Sequence, residues 1–409
     1  TLSSSSAASD VYKRQQLMQT LAADESEMLA IRRHLHAHPE ISFHEKQTAA
    51  YIKQYYAAMN VPVTPCGEGY GMYVDIQGGQ PGPTLALRAD FDALAIQEDN
   101  DLSFKSQNPR VMHACGHDAH TAYLLVLAKE LIKIKAKLAG TIRIIHQPAE
   151  EVSPGGAKGM VAAGVLEGVD NVLGVHVMSS MPTGLIGYHT GATQTGRANF
   201  TDTIIGKGGH ASMPHLSNDA IVAGSYLVTA LQTIVSRRVD PFDTASVTIG
   251  SFDGAGSFNA IKQDVVLKGD VRMMKETTRK TIRQQIVTMN QGLETMFGVK
   301  TKLDYDDNYP VLMNDATLTE NAMAAIKAAN IPEIKAIKDT GVQDPSEDFA
   351  YFAQKVPSSF FYIGCQLPDG SNHPHHSPDF MMDEDAILIA AKAVGAAALG
   401  YLQSESTTR

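Results

Sequence analysis

TLALRADFD (84–92), HACGHDAHTAYLLVLAKELIKIKAKL (113–138) and TIRIIHQPAEE (141–151) follow one another with little between them. Thr84–Arg88 is a short apolar run that reads as a buried strand. Asp118–Leu138 carries apolar residues at helical spacing, and Thr141–Gln147 is again a short apolar run. Upstream, residues 16–38 predict one helix ending at Pro39, and a second helix runs from Glu45 to about Met59. Downstream, Ala157–Ala163 reads as a helix and Asn171–Val177 as a strand. Strands alternating with helices predict an α/β fold, a parallel-rich sheet with helices on both faces.

The pattern changes near residue 196. Strand Phe200–Ile205, helix Asn218–Arg238, strands Thr244–Ser251 and Asp264–Met273, helix Thr277–Phe297 and strand Lys300–Tyr305 give the order β-α-β-β-α-β. That order defines the ferredoxin-like α+β unit. The α/β pattern resumes near Tyr309 and ends with the helix Glu384–Tyr401. The expectation is a large domain of residues 16–195 and 309–409, interrupted by an inserted domain of 196–308.

The 409 residues are 44% hydrophobic and 19% charged, with 33 Gly and 18 Pro, which excludes a disordered, collagenous or coiled-coil chain. A net charge of -10 argues against nucleic acid and anionic membrane surfaces as partners. No apolar run is read as approaching the roughly 20 residues of a membrane helix. Three Cys, an odd number, cannot form a disulfide framework and fit a reducing, cytoplasmic setting. The opening TLSSSSAASDVYKRQ has no Met and no signal-like apolar core. Its Asp10–Gln15 hexapeptide matches the translation of a common sequencing adaptor. Residues 1–15 are therefore expected to be non-native or disordered, with the native start missing.

Chemistry-bearing residues follow the predicted strands. Asp90 and Asp92 come after the first, Glu150 and Glu151 after the second, and His176 lies near the end of the third. Cys115 and His117 sit directly before the long helix. In an open α/β sheet ligands bind beyond the carboxyl ends of the strands, so four segments converge on one edge. Cys115 and His117, two apart in a non-helical stretch, point the same way and suit zinc or a similar ion. A helix N-terminus also favours the thiolate. Adjacent Glu150 and Glu151 suit a division of labour, one on metal and one moving a proton. Asp92 can orient a His ligand through its second nitrogen. His373, His375 and His376 offer one further ligand, and spacing does not choose among them. Alone, each has a bland reading: a buried thiol beside a capping His, a solvated acidic turn, a loop Asp, a surface His-rich loop. Gly206–Ser212 (GKGGHAS) flanks His210 with glycines, but lacks the spacing of a phosphate loop, and His210 taken singly reads as structural.

RRHLHAHPE (32–40), LRADFDAL (87–94), MHACGHDAHTAYLL (112–125), QPAEE (147–151), GVHV (174–177), GKGGHASMPH (206–215), SEDFAYF (346–352) and HHSPDF (375–380) together resemble the metal-dependent aminoacylase and carboxypeptidase family. They resemble in particular its branch of hippurate hydrolases, N-acyl-amino-acid deacylases and auxin-conjugate hydrolases. The resemblance implies two divalent metal ions, zinc or manganese with nickel or cobalt as alternatives. It implies Cys115, His117, Glu151, His176 and His376 as ligands, Glu150 as catalytic base and Asp92 as the supporting acid. His376 is chosen because it precedes Ser377-Pro378-Asp379-Phe380. The inserted domain is similar to the family's dimerisation or lid domain, which implies a homodimer. There His210 resembles a residue that polarises the scissile carbonyl in a partner subunit, and Asn259 and Arg272 resemble binders of the substrate carboxylate. Pro345 replaces the family's usual glycine, and Asn259-Ala260-Ile261-Lys262 its usual Asn-Val-Ile-Pro. These departures touch specificity more than metal binding. The implied reaction is hydrolysis of the amide bond of an N-acyl amino acid. The alternatives are a thiol hydrolase using Cys115 and a zinc-stabilised binding protein without activity.

Overall fold

The computed structural model describes the backbone of residues 4–406 and the side chains of 11–404. The chain forms two compact units. The larger comprises residues up to Thr193, Met313–Val342 and the chain from Asp348 onward; the smaller comprises Gln194–Leu312 and Gln343–Glu347. The segment Gln343–Glu347 was expected in the larger unit. It joins the smaller because it runs beside the crossing strand. Gln194 pairs with Gln343, and the Thr195 N–H donates to the Pro345 carbonyl at 3.1 Å.

The larger unit is built on an eight-stranded sheet. Its spatial order is Thr64–Pro65, Met72–Gln77, Ala139–Gln147, Gln80–Asp90, Asn171–Pro182, Ser358–Gln366, Leu185–Tyr188, Ala336–Asp339. The central neighbours Ala139–Gln147, Gln80–Asp90, Asn171–Pro182 and Ser358–Gln366 run parallel. Met72–Gln77 and Leu185–Tyr188 join this core antiparallel. Alternation sorts the side chains. Leu85, Leu87, Ile142, Ile144, Leu173, Val175, Phe361 and Ile363 point into one apolar core with the helices Ser4–Ala23, Glu25–Ala37, His117–Ile134 and Asp385–Ser406. Each such side chain contributes about 1.5–3 kcal/mol when removed from water. The alternate positions Arg88, Gln147 and Phe360 face a second buried layer that holds Asp348 and Phe349.

Three expectations change. The helix predicted over 16–38 is two, Ser4–Ala23 and Glu25–Ala37, broken at Asp24. Leu17, Leu21, Met28, Ile31 and Leu35 are buried on both sides of the break, so the apolar period runs through it and hides it. The segment expected to be non-native or disordered is helical from Ser4, which bears on its order and not on its origin; residues 1–3 lie outside the described residues. Among the described residues two helices are long and apolar enough to cross a membrane, contrary to expectation. Asp385–Ser404 is mostly buried inside the larger unit, so its apolar surface serves the core. Ala220–Arg238 buries Ala223, Leu227, Leu231 and Ile234 in the smaller unit.

The smaller unit has a four-stranded antiparallel sheet in the order Ala245–Asp253, Asp264–Met273, Gly196–Ile205, Lys300–Asp306. With helices Ala220–Arg238 and Glu276–Phe297 in chain order it is β-α-β-β-α-β. Asp219 caps the first helix by accepting from the Ile221 and Val222 N–H groups at 2.9 and 3.2 Å.

Candidate functional site

Strand register sets the site. Arg88 stands opposite Gly174 and Asp90 opposite Gln147, so His176, two residues past Gly174, is level with Asp90. Beyond those strand ends the chain delivers Asp92, Glu150 and Glu151. The helix His117–Ile134 begins beside them at Gly116, whose φ is +88°. A Cβ on Gly116 would lie 2.4 Å from Val177 Cγ2, so glycine alone lets this helix start against the His176 strand.

Ligand-capable atoms of Cys115, His117 and His176 lie within 4.8 Å of one another, as do those of Cys115, Glu151 and His376, and those of His117, Glu150 and Glu151. The three groups share members and form one cluster. Cys115 Sγ is 3.4 Å from His176 Nε2, and His376 Nε2 is 3.1 Å from Glu151 Oε1. Of the three C-terminal histidines, His376 joins the cluster. The Nε2 of His375 accepts the Ser179 N–H at 3.2 Å, and His373 pairs with Asp379.

The polar surroundings orient these groups. A carbonyl oxygen only accepts, so His117 Nδ1 is a donor to the Asp92 carbonyl at 3.0 Å, with Asp92 Oδ1 at 3.1 Å. Its Nε2 is buried without a hydrogen-bond partner, 3.7 Å from Asp90 Oδ2 and 3.9 Å from Glu151 Oε1. By the same logic His176 Nδ1 donates to the Val177 carbonyl at 2.6 Å, which leaves Nε2 toward Cys115. Asp92 Oδ2 accepts from Ser42 Oγ at 2.7 Å and from the Glu151 N–H at 3.0 Å.

Charge here is unbalanced toward the negative. Burial alone would push the His117 pKa down, but Asp90, Asp92 and Glu151 lift it to about 10. Burial and then Glu151, Glu150 and Asp90 push the Cys115 thiol well above its ordinary value. This runs against the expectation that the helix N-terminus favours the thiolate: burial first, and then the neighbouring carboxylates, favour the neutral thiol. Burial opposes ionisation of Asp92, but the His117 hydrogen bond holds it below the usual carboxylate range. Burial and Asp92 push Glu45 up to about 7. One Cys, three His and two carboxylates, with an orphaned imidazole nitrogen among acids, suit borderline divalent cations. The residues present fit such ions.

His210, Asn259 and Arg272 belong to the smaller unit. His210 is exposed, with Nδ1 at 2.8 Å from Ser212 Oγ, on a two-residue strand that pairs it with Ala260. Asn259 accepts from Ser257 Oγ at 2.6 Å. The Arg272 guanidinium is engaged by Asp270 through Nε at 2.8 Å. Sequence reasoning missed Ser42, Glu45 and His120. His120 Nδ1 lies 2.6 Å from Asp90 Oδ1, and its Nε2 accepts the Val177 N–H at 3.0 Å. Its i+3 spacing from His117 was the available signal. For Ser42 and Glu45 the signal was the polar density of PEISFHE between two helices.

Residues 86–399 match the model of peptidase family M20/M25/M40. The chain is 36% identical to the N-acetyl-L-cysteine deacetylase of Bacillus subtilis, over 95% of this chain and 91% of that protein. It is 41% identical to an N-acyl-L-amino acid amidohydrolase of Geobacillus stearothermophilus, over 71% of this chain and 78% of that one. Among solved structures it superposes on the YXEP protein of Bacillus subtilis, a dinuclear metal binding peptidase from the M20 family. There the TM-score is 0.80 and the identity 30%, covering 93% of this chain and 99% of that one. The chain belongs to peptidase family M20/M25/M40 and is a hydrolase acting on amide or peptide bonds.

Proposed function

We propose that the chain is a metal-dependent amidohydrolase that cleaves the amide bond of N-acyl amino acids, with Glu150 as general base. The observation that carries this reading is the cluster itself. Cys115, His117, Glu151, His176 and His376, far apart in sequence, gather with Glu150 at the carboxyl ends of parallel strands. The names of the two enzyme relatives supply the substrate class.

Cys115, His117, Glu151, His176 and His376 would hold two divalent cations, which when bound polarise a carbonyl and lower the pKa of water from about 15.7 toward about 7. Zinc suits this donor set; manganese, nickel and cobalt remain candidates. Glu150 removes the proton from the attacking water and delivers it to the departing amine. Asp92 holds the His117 ring and the Glu151 backbone in place. On this reading His210 donates to the carbonyl oxygen across a homodimer, an interaction worth about 3 kcal/mol where it forms. Asn259 and Arg272 receive the substrate carboxylate.

The test is Glu150→Gln. The variant keeps its metal stoichiometry and loses at least about 100-fold in kcat, the usual scale of a lost proton-transfer group. Near-normal turnover on a panel of acetyl, benzoyl and indole-acetyl amino acids, with each ion restored in turn, would refute the role.

A further inference from the structure

The backbone that presents Glu150 is itself unusual. Ala149 is fully buried and has a φ of +53°, in the left-handed region. For a residue with a Cβ this conformation costs roughly 1–2 kcal/mol and persists only when the surroundings enforce it. Two hydrogen bonds enforce it here. The Ala149 N–H donates to Glu45 Oε1 at 2.8 Å, and the Ala149 carbonyl accepts from the Gly156 N–H at 2.9 Å. Glu45 is 0% exposed and lies just before the helix Lys46–Ala57.

The same short loop grips the other half of the site. Ile41 bridges to Ala93, and the Glu40 carbonyl accepts the Ala93 N–H at 2.8 Å. Ser42 Oγ donates to Asp92 Oδ2, which in turn accepts the Glu151 N–H. The loop 40–45 therefore touches both segments that carry acids into the cluster, at points one or two residues from Glu150, Glu151 and Asp92.

We propose that Glu45 is a positioning residue, whose carboxylate clamps the left-handed turn at Ala149 and so aims Glu150, with Ser42 setting Asp92 from the same loop. Glu45 touches no group that reacts; its effect passes through Ala149. This rests on the reading of Glu150 as base. Losing the clamp lets the turn relax toward ordinary backbone and swings the Glu150 carboxylate off its line. Substrate contacts and ligand identity are left alone.

The experiment compares Glu45→Ala, Glu45→Gln and Glu45→Ala/Ala149→Gly as purified, metal-loaded full-length enzymes. Readouts are kcat and KM on an N-acyl amino acid, metal content, and thermal unfolding. A displacement of about 1 Å at a reacting group lowers rate on the order of 100-fold, so Glu45→Ala loses that much kcat with KM changed less than about threefold. Glu45→Gln keeps an acceptor oxygen and stays within about threefold of the parent. Glycine needs no clamp at positive φ, so the double variant recovers about tenfold over Glu45→Ala. The proposal is overturned if Glu45→Ala keeps its kcat. It is also overturned if Glu45→Gln loses as much as Glu45→Ala, or if kcat falls only in proportion to metal content or folded fraction. Glu150→Gln separates the two ideas. If the parent is active and Glu150→Gln is dead while Glu45→Ala is normal, the clamp alone fails. If Glu150→Gln is active, the underlying reading fails.

Discussion

His146 shows how one buried residue couples stability to pH. It is fully buried, and its Nε2 lies 2.8 Å from the Tyr56 hydroxyl, which donates to it when the ring is neutral. Burial lowers its pKa from 6.5 to about 3. A depressed folded pKa means that below pH 6.5 the unfolded chain takes up a proton the folded chain refuses. The stabilisation is present above pH 6.5, shrinks as the pH falls, and is gone near pH 3, at about 1.4 kcal/mol per pH unit within that window. His146→Gln, which keeps an acceptor for Tyr56, is expected to lose less Tm than the parent between pH 7 and pH 5. Circular dichroism melts across that range decide it; parallel curves would remove His146 as the cause. At the same scale, Asp92 shows what a motif can conceal. Its place after a strand suggested an orienting acid, but its three simultaneous partners, Ser42, His117 and the Glu151 backbone, come from three parts of the chain.

The helix His117–Ile134 is the element on which the site depends most directly. Its residues are buried over nearly the whole length, and Asp118 is tied to Arg32 and His36 at 3.0 and 2.8 Å, which anchors it to the helix Glu25–Ala37. Its start at Gly116 combines a left-handed φ with contact against Val177. Gly116→Ala adds both a backbone penalty of roughly 1–2 kcal/mol and a steric one of similar size. The expected outcome is a fall of about 2–4 kcal/mol in unfolding free energy, read by urea denaturation of the metal-free protein. A change within about 0.5 kcal/mol, the range of an ordinary surface substitution, would show that the strand yields freely. Element boundaries were the least legible feature. The strands Met72–Gln77, Leu185–Tyr188, Ala336–Asp339 and Ser358–Gln366 went unread, because short apolar runs carry little period of their own. The break at Asp24 was hidden by an apolar stripe that continues through it.

For the whole molecule, cation binding and folding are linked. Glu150, Glu151, Asp90 and Asp92 crowd one region, and the effect of these acids shows in the raised His117 and Cys115. A divalent cation at 100 times its dissociation constant adds about 2.7 kcal/mol to the folded state. Chelation is therefore expected to lower Tm by several degrees and abolish turnover, with both restored by added ion. On the proposed reading Cys115 sheds a proton to bind, so affinity is expected to fall as the pH drops. Calorimetry of stripped and reloaded protein checks this, and identical melts would contradict it. The sequence by itself determined the α/β alternation, the β-α-β-β-α-β run and the identity of the acids, thiol and imidazoles, since periodicity and residue chemistry are local properties. The motif resemblance pointed to His376, and the tertiary structure set its Nε2 3.1 Å from Glu151; only the tertiary structure decided that carboxylates surround the Cys115 thiol and that Glu45 meets Ala149. Those facts arise from strand register and from contacts between residues as far apart as 225 positions, Glu151 to His376, which no local pattern encodes.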